Sequence, residues 1–161
     1  MDIHRRLSVD PNAYSGASAD VFEIDGNAYK LFRVFGVART AQQVRDLFES
    51  ECEAYTRASV DAWLRQHTAA FHGPCVIENV IDRHGNSVRS LYALDCCYGI
   101  ELLVGRESKL YADGLRQSLE HLREAQERFS MNGIDVRDSS VFNYEYPEDF
   151  KFIDFRLEHC L

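Results

Sequence analysis

The sequence predicts an α+β fold, and three observations carry that prediction. Two strand–turn–strand patterns lie in the N-terminal part, one at 19–35 and one at 75–95. A long helical pattern beginning at Thr40 separates them. A second helical pattern over 108–130 is followed by a strand-and-loop stretch from Gly133 to Phe155. With 161 residues the chain suffices for one domain with a real core and is too short for two comfortable ones.

Composition narrows the function classes. The net charge of −8 argues against nucleic acid and against an anionic membrane as partners. No apolar run approaches the ~20 residues of a membrane span. The N-terminus M-D-I-H-R-R-L lacks the apolar core of a signal peptide. Five cysteines without repeating spacing do not suit a disulfide framework. Cys96 and Cys97 are adjacent and would alternate sides of a strand, which is poor geometry for one metal. His67, His72 and His84 lie near turns and read as surface residues. The expected compartment is the reduced cytoplasm.

Taken in order, residues 1–15 are polar and read as a flexible lead-in. Gly16 opens a turn into a strand carrying Val21 and Phe22. Asp25-Gly26-Asn27 is a hairpin signal, and Ala28 to Phe35 returns as a second strand containing Lys30. Thr40-Ala41-Gln42-Gln43 is a capping box. Val44, Leu47, Phe48, Cys52 and Tyr55 then follow at helical spacing, and the pattern runs on to about Ala69. Glu51 lies roughly 20° from Val44 around that helix, in the centre of the apolar stripe. A carboxylate buried there needs a partner. Lys30 is one; the alternative is a helix-edge position with Glu51 reaching water. Gly73-Pro74 ends the segment. Cys75 to Ile81 and Val88 to Asp95 form the second hairpin around Arg83-His84-Gly85-Asn86. In the second helix Tyr111, Leu115, Leu119, Leu122 and Phe129 share a face, and Asn132-Gly133 stops it.

The stretch Val136-Arg137-Asp138-Ser139-Ser140-Val141-Phe142-Asn143 has the spacing of the protein-kinase catalytic loop H-R-D-L-x-x-x-N. Lys151-Phe152-Ile153-Asp154-Phe155 looks like the strand delivering the D-F-G aspartate. Ala28-Tyr29-Lys30-Leu31-Phe32 is similar to the V-A-I-K strand, and Gly16 to Val21 resembles the back half of the glycine-rich loop. Leu94-Asp95-Cys96-Cys97-Tyr98-Gly99 resembles the hinge. The chain therefore resembles a minimal protein kinase. The resemblance implies a five-stranded antiparallel N-lobe sheet with one long helix over 16–94, a hinge at 95–99, and a reduced C-lobe over 100–161 with one main helix and a catalytic-loop hairpin.

The resemblance also implies roles. Gly16, Val21 and Lys30 would meet the phosphates of ATP, Glu51 would orient Lys30, and Leu94, Asp95 and Cys97 would frame the adenine. Asp138 would accept the proton of an acceptor hydroxyl, and Asn143 and Asp154 would hold Mg2+. The implied function is transfer of the γ-phosphate to a hydroxyl of a protein or small molecule. The alternative is a pseudokinase-like module that binds nucleotide or a partner without turnover. Tyr14, Ala19, Val136 and Arg156 stand where the family has two loop glycines, the catalytic-loop histidine and the D-F-G glycine. No substrate lobe follows Asp154, so a protein partner or self-association is expected to complete it.

Overall fold

The computed structural model describes residues 2–4, 7–8, 14–16, 18–34, 40–109, 119–143 and 150–158. It is α+β, with antiparallel pairing in three sheets and few helices. The chain divides into two compact units, Met1–Glu49 with His72–Leu102 and Ser50–Phe71 with Leu103–Leu161.

The first unit is built on a sheet of six strands rather than five. Its strands are β1 (Asp2–His4), β3 (Tyr14–Ser15), β4 (Ala19–Ile24), β5 (Asn27–Arg33), β6 (Phe71–Ile77) and β8 (Tyr92–Glu101). Their order is β1-β6-β8-β5-β4-β3. β2 (Leu7–Ser8) and β7 (Val80–Ile81) make a separate parallel pair. Three short strands thus come from the stretch read as a lead-in. β4 and β5 form the expected hairpin, with Asp25 and Gly26 at positive φ in its turn. Strand β6 runs through Gly73-Pro74, where the sequence pattern suggested a stop. Pro74 has no N–H to donate. Pairing with β1 begins only at Cys75, one residue further on.

Both faces of this sheet are covered. Phe22, Leu31, Cys75, Ile77, Val80, Tyr92 and Cys97 form one apolar cluster. On the other face Phe32 and Tyr98 meet Phe48 at ring-centroid distances of 5.9 and 6.4 Å. Phe48 lies on α1 (Ala41–Val60), whose first turn carries the predicted capping box. The amide of Gln43 donates to Thr40 Oγ1 at 3.1 Å, and the amide of Thr40 donates to Gln43 Oε1 at 2.8 Å.

The expected helix to Ala69 is interrupted. Asp61 takes extended backbone angles and its carboxylate accepts from the amide of Leu64, capping a separate short helix α2 (Ala62–Gln66). An aspartate competes for backbone donors, so a periodic apolar pattern alone did not reveal the break.

The second unit contains α2, α3 (Leu119–Met131), and two small antiparallel sheets. One pairs β10 (Ile134–Asp135) with β13 (Arg156–Leu157). The other has the order β12-β11-β9, from Lys151–Ile153, Ser140–Phe142 and Glu107–Lys109. The predicted hairpin is β11 with β12. The predicted helix start at 108 is corrected, because Ser108 and Lys109 belong to β9 and pair with β11. Residues 110–118 of that prediction lie outside the described residues. Phe129 is fully buried against Phe152 and Phe155, at 5.0 and 5.6 Å. Phe155 meets Tyr55 at 4.3 Å. His67, expected at the surface, is buried with its ring stacked on Phe150 and its Nδ1 2.9 Å from the Phe150 carbonyl oxygen.

Candidate functional site

In the first unit, register sets Val21 opposite Lys30 and Lys30 opposite Tyr98. Directly opposed residues of antiparallel strands share a face. Lys30 therefore lies on the side of the sheet that carries Phe32, Tyr98 and Phe48, with its Nζ 5.3 Å from the Phe32 ring centre. Val21 and Lys30, two of the residues predicted to meet a nucleotide, are thus brought together.

Gly16 is bound differently from the prediction. Its amide donates to the carbonyl of Ala19 at 2.9 Å, and its carbonyl accepts from the Arg33 guanidinium. Arg33 also pairs with Asp20, which accepts from the Tyr92 hydroxyl at 2.6 Å. The Gly16 amide is engaged within its own turn rather than open to a phosphate oxygen.

The predicted hinge is corrected. Asp95 to Gly99 are the middle of β8, which bonds to β5 on one side and β6 on the other. Cys97, Tyr98 and Gly99 pair in register with Leu31, Lys30 and Tyr29 of β5. Cys97 pairs with Leu31 and is fully buried in the apolar cluster, and Leu94 packs against that cluster. The Asp95 carboxylate is held below the usual range chiefly by the hydrogen bond from the Arg45 guanidinium. Burial and the Asp95 charge beside it push the Cys96 thiol up to about 11. The chain passes from one unit to the other after Leu102. Glu101 to Gly105 repeats the spacing of Asp95 to Gly99, an acidic residue followed four positions on by glycine. That duplicate was the available signal for the later crossing.

In the second unit Glu51 is 4% exposed, so it lies on the buried stripe of α1 and not at a helix edge reaching water. Tyr55 stands one turn further along. Its hydroxyl is pushed well above its ordinary range, first by complete burial and then by the charges of Asp154 and Glu51. Those two carboxylates therefore act on one neighbourhood. Ser50 Oγ accepts from the amide of Leu157 at 3.0 Å, tying this part of α1 to β13.

Asp138 and Asp154 lie at the same end of the β11–β12 hairpin. Ser139 Oγ donates to the Asp154 carbonyl at 3.1 Å, and Ser140 pairs with Ile153. Asp138 is largely exposed, with an Arg156 nitrogen 3.9 Å from its carboxylate. Arg137 turns back onto Asp135, with Nη2 2.7 Å from Oδ2 and its own amide donating to Oδ1 at 3.0 Å. Asp154 has φ 60, within the left-handed region.

Asn143 is at the other end. The sequence suggested a loop from Asp138 to Asn143, but the intervening residues form β11 and remain extended, with the amide of Asn143 donating to the Arg106 carbonyl at 2.9 Å. Ser139 is the residue bonded to Asp154, and at a rise of about 3.3 Å per residue the four steps from Ser139 to Asn143 span about 13 Å. The Asn143 amide group is also committed. Its Oδ1 accepts from the amide of Arg106 at 3.2 Å, and its Nδ2 donates to the Val104 carbonyl at 3.1 Å. Asn143 and Asp154 are thus not brought together around one ion. Among the described residues no group of three or more His, Cys, Asp or Glu side chains is arranged to hold a metal.

Two contributors escaped sequence reasoning. Gly105 has φ +123, and a Cβ there would run into the side chain of Asn143. Lys109, at the end of β9, donates to Ser140 Oγ at 2.7 Å and stands 3.9 Å from both Asp154 Oδ2 and Glu107 Oε1. Only cross-strand register joins it to Asp154, so no local pattern announced it.

The class defined by these observations is an α+β chain of mostly antiparallel sheets and few helices, with a polar group at one end of a β-hairpin. Comparison with family models, curated proteins and solved structures finds no match to the chain. Among the described residues no helix is long and apolar enough to cross a membrane.

Proposed function

We propose that this chain is a pseudokinase-like module that binds a nucleotide or a partner protein without turning it over. Support for the kinase-like part comes from Lys30 on the face of the sheet that carries Phe48 of α1, from the buried Glu51 on the same helix, and from the Asp138–Asp154 hairpin end. The observation that carries the absence of turnover is the commitment of Asn143 to Val104 and Arg106, at the end of β11 remote from Asp154. Phosphoryl transfer depends on positioning and on charge neutralisation by metal ions. An amide held about 13 Å along the strand from the second ligand does not complete that constellation.

The second reading is an ATP- and Mg2+-dependent phosphotransferase acting on a protein or small-molecule hydroxyl. The exposure of Asp138 beside Asp154 and Arg156 favours it, because a general base must be reachable. A protein partner or a second copy would then help to hold the acceptor.

Incubation of the chain with labelled ATP and Mg2+, beside Asp138→Ala and Asp154→Ala, separates the two. The module predicts nucleotide or partner binding with no transfer or hydrolysis above the variants. Turnover in the natural chain that both substitutions abolish establishes the enzyme instead.

A further inference from the structure

We propose that Lys109 is the resident cation of Asp154, so that whatever this end of the second unit binds is held without a divalent ion. The inference rests on the reading of the chain as a binding module. Register sets Lys109 opposite Ser140, which is opposite Ile153, the residue before Asp154. The Lys109 ammonium donates to Ser140 Oγ at 2.7 Å and lies 3.9 Å from each of two carboxylates, those of Glu107 and Asp154. Two carboxylates and a hydroxyl are the hard oxygen donors that Mg2+ or Mn2+ takes. Here the Lys109 ammonium stands among them.

Two features keep the ammonium in place. Ser140 is fully buried, so its hydroxyl relies on protein partners, and Lys109 supplies a donor. Glu107 is two residues before Lys109 on the same strand, and both side chains lie on one face of the small sheet. The Lys109, Glu107 and Asp154 side chains are 47%, 29% and 35% exposed, so ions have access to the group from solvent. A divalent ion at Asp154 would have to displace an internal charge of the same sign. Asn143, committed elsewhere, offers no second ligand in compensation.

The test uses Mn2+ alone, titrated onto the full chain and followed by its electron paramagnetic resonance. The proposal expects no site in the natural chain or in Lys109→Arg. It expects Lys109→Met to gain one ion at least about tenfold tighter, and Lys109→Met with Asp154→Asn to lose that gain. Mn2+ bound by the natural chain and released by Asp154→Asn overturns it, as does folded Lys109→Met with no gain. Should Lys109→Met not fold, the natural chain decides by nitrogen-detected NMR of the Lys109 ammonium. A signal unmoved by millimolar Mg2+ supports the resident cation, and a signal that Mg2+ shifts or abolishes overturns it. Since no nucleotide is present, these outcomes are independent of whether the chain binds ATP.

Discussion

Asp135 shows how a local ion pair becomes a dependence on pH. Its carboxyl is held below its ordinary value, first by the hydrogen bond from the Arg137 side chain and then by the Arg137 amide, against the opposing effect of burial. A carboxyl whose folded pKa is depressed stabilises the fold above its unfolded value and loses that contribution as pH falls through the folded one. Asp135→Asn removes this contribution. Urea midpoints between about pH 5 and pH 2 are expected to fall less steeply in the variant than in the natural chain. Parallel slopes would show that the pair contributes nothing. Residue-scale chemistry of this kind was partly legible. The buried position of Glu51 followed from helical spacing, whereas the pairing of Arg137 with Asp135 did not.

The scale of elements is where the site departed from its expected form. Five positions separate Asp138 from Asn143, and spacing alone does not say whether the backbone between them curls or extends. Pairing with β9 and β12 extends it, which carries the two ends apart. The same pairing brings Asn143 over the turn at Gly105. Gly105→Ala is expected to cost about 1–3 kcal/mol, because φ +123 is unfavourable for a residue with a Cβ and that atom meets the Asn143 amide. The loss should shrink when Asn143→Ala is added, leaving the backbone component alone. Denaturant unfolding of the four chains of this double-mutant cycle gives the coupling, and a coupling of zero would remove Asn143 from the account.

At the scale of the whole molecule, the aromatic core of the second unit sets the frame on which the hairpin rests. Phe129 from α3 is fully buried against Phe152 and Phe155, which flank Ile153 and Asp154 in sequence. Phe129→Ala is expected to destabilise the unit by about 3–5 kcal/mol through lost burial and the cavity left behind. The measurement is the shift in urea midpoint, and a change below about 1 kcal/mol would mean that the packing relaxes around the gap.

What the sequence determined by itself is local and periodic. The α+β class, the β4–β5 hairpin, the capping box at Thr40 and the buried stripe carrying Glu51 all follow from turn residues and from spacings of two or about 3.6, interactions that a few neighbouring residues set. Only the tertiary structure decided that Asp95 to Gly99 lie in a central strand, that β1 joins the sheet, that Asn143 faces Gly105 and that Lys109 stands beside Asp154. Each of these is fixed by hydrogen bonding between strands remote in sequence. Register between such strands is a cooperative property of the assembled sheet, and no single segment encodes it.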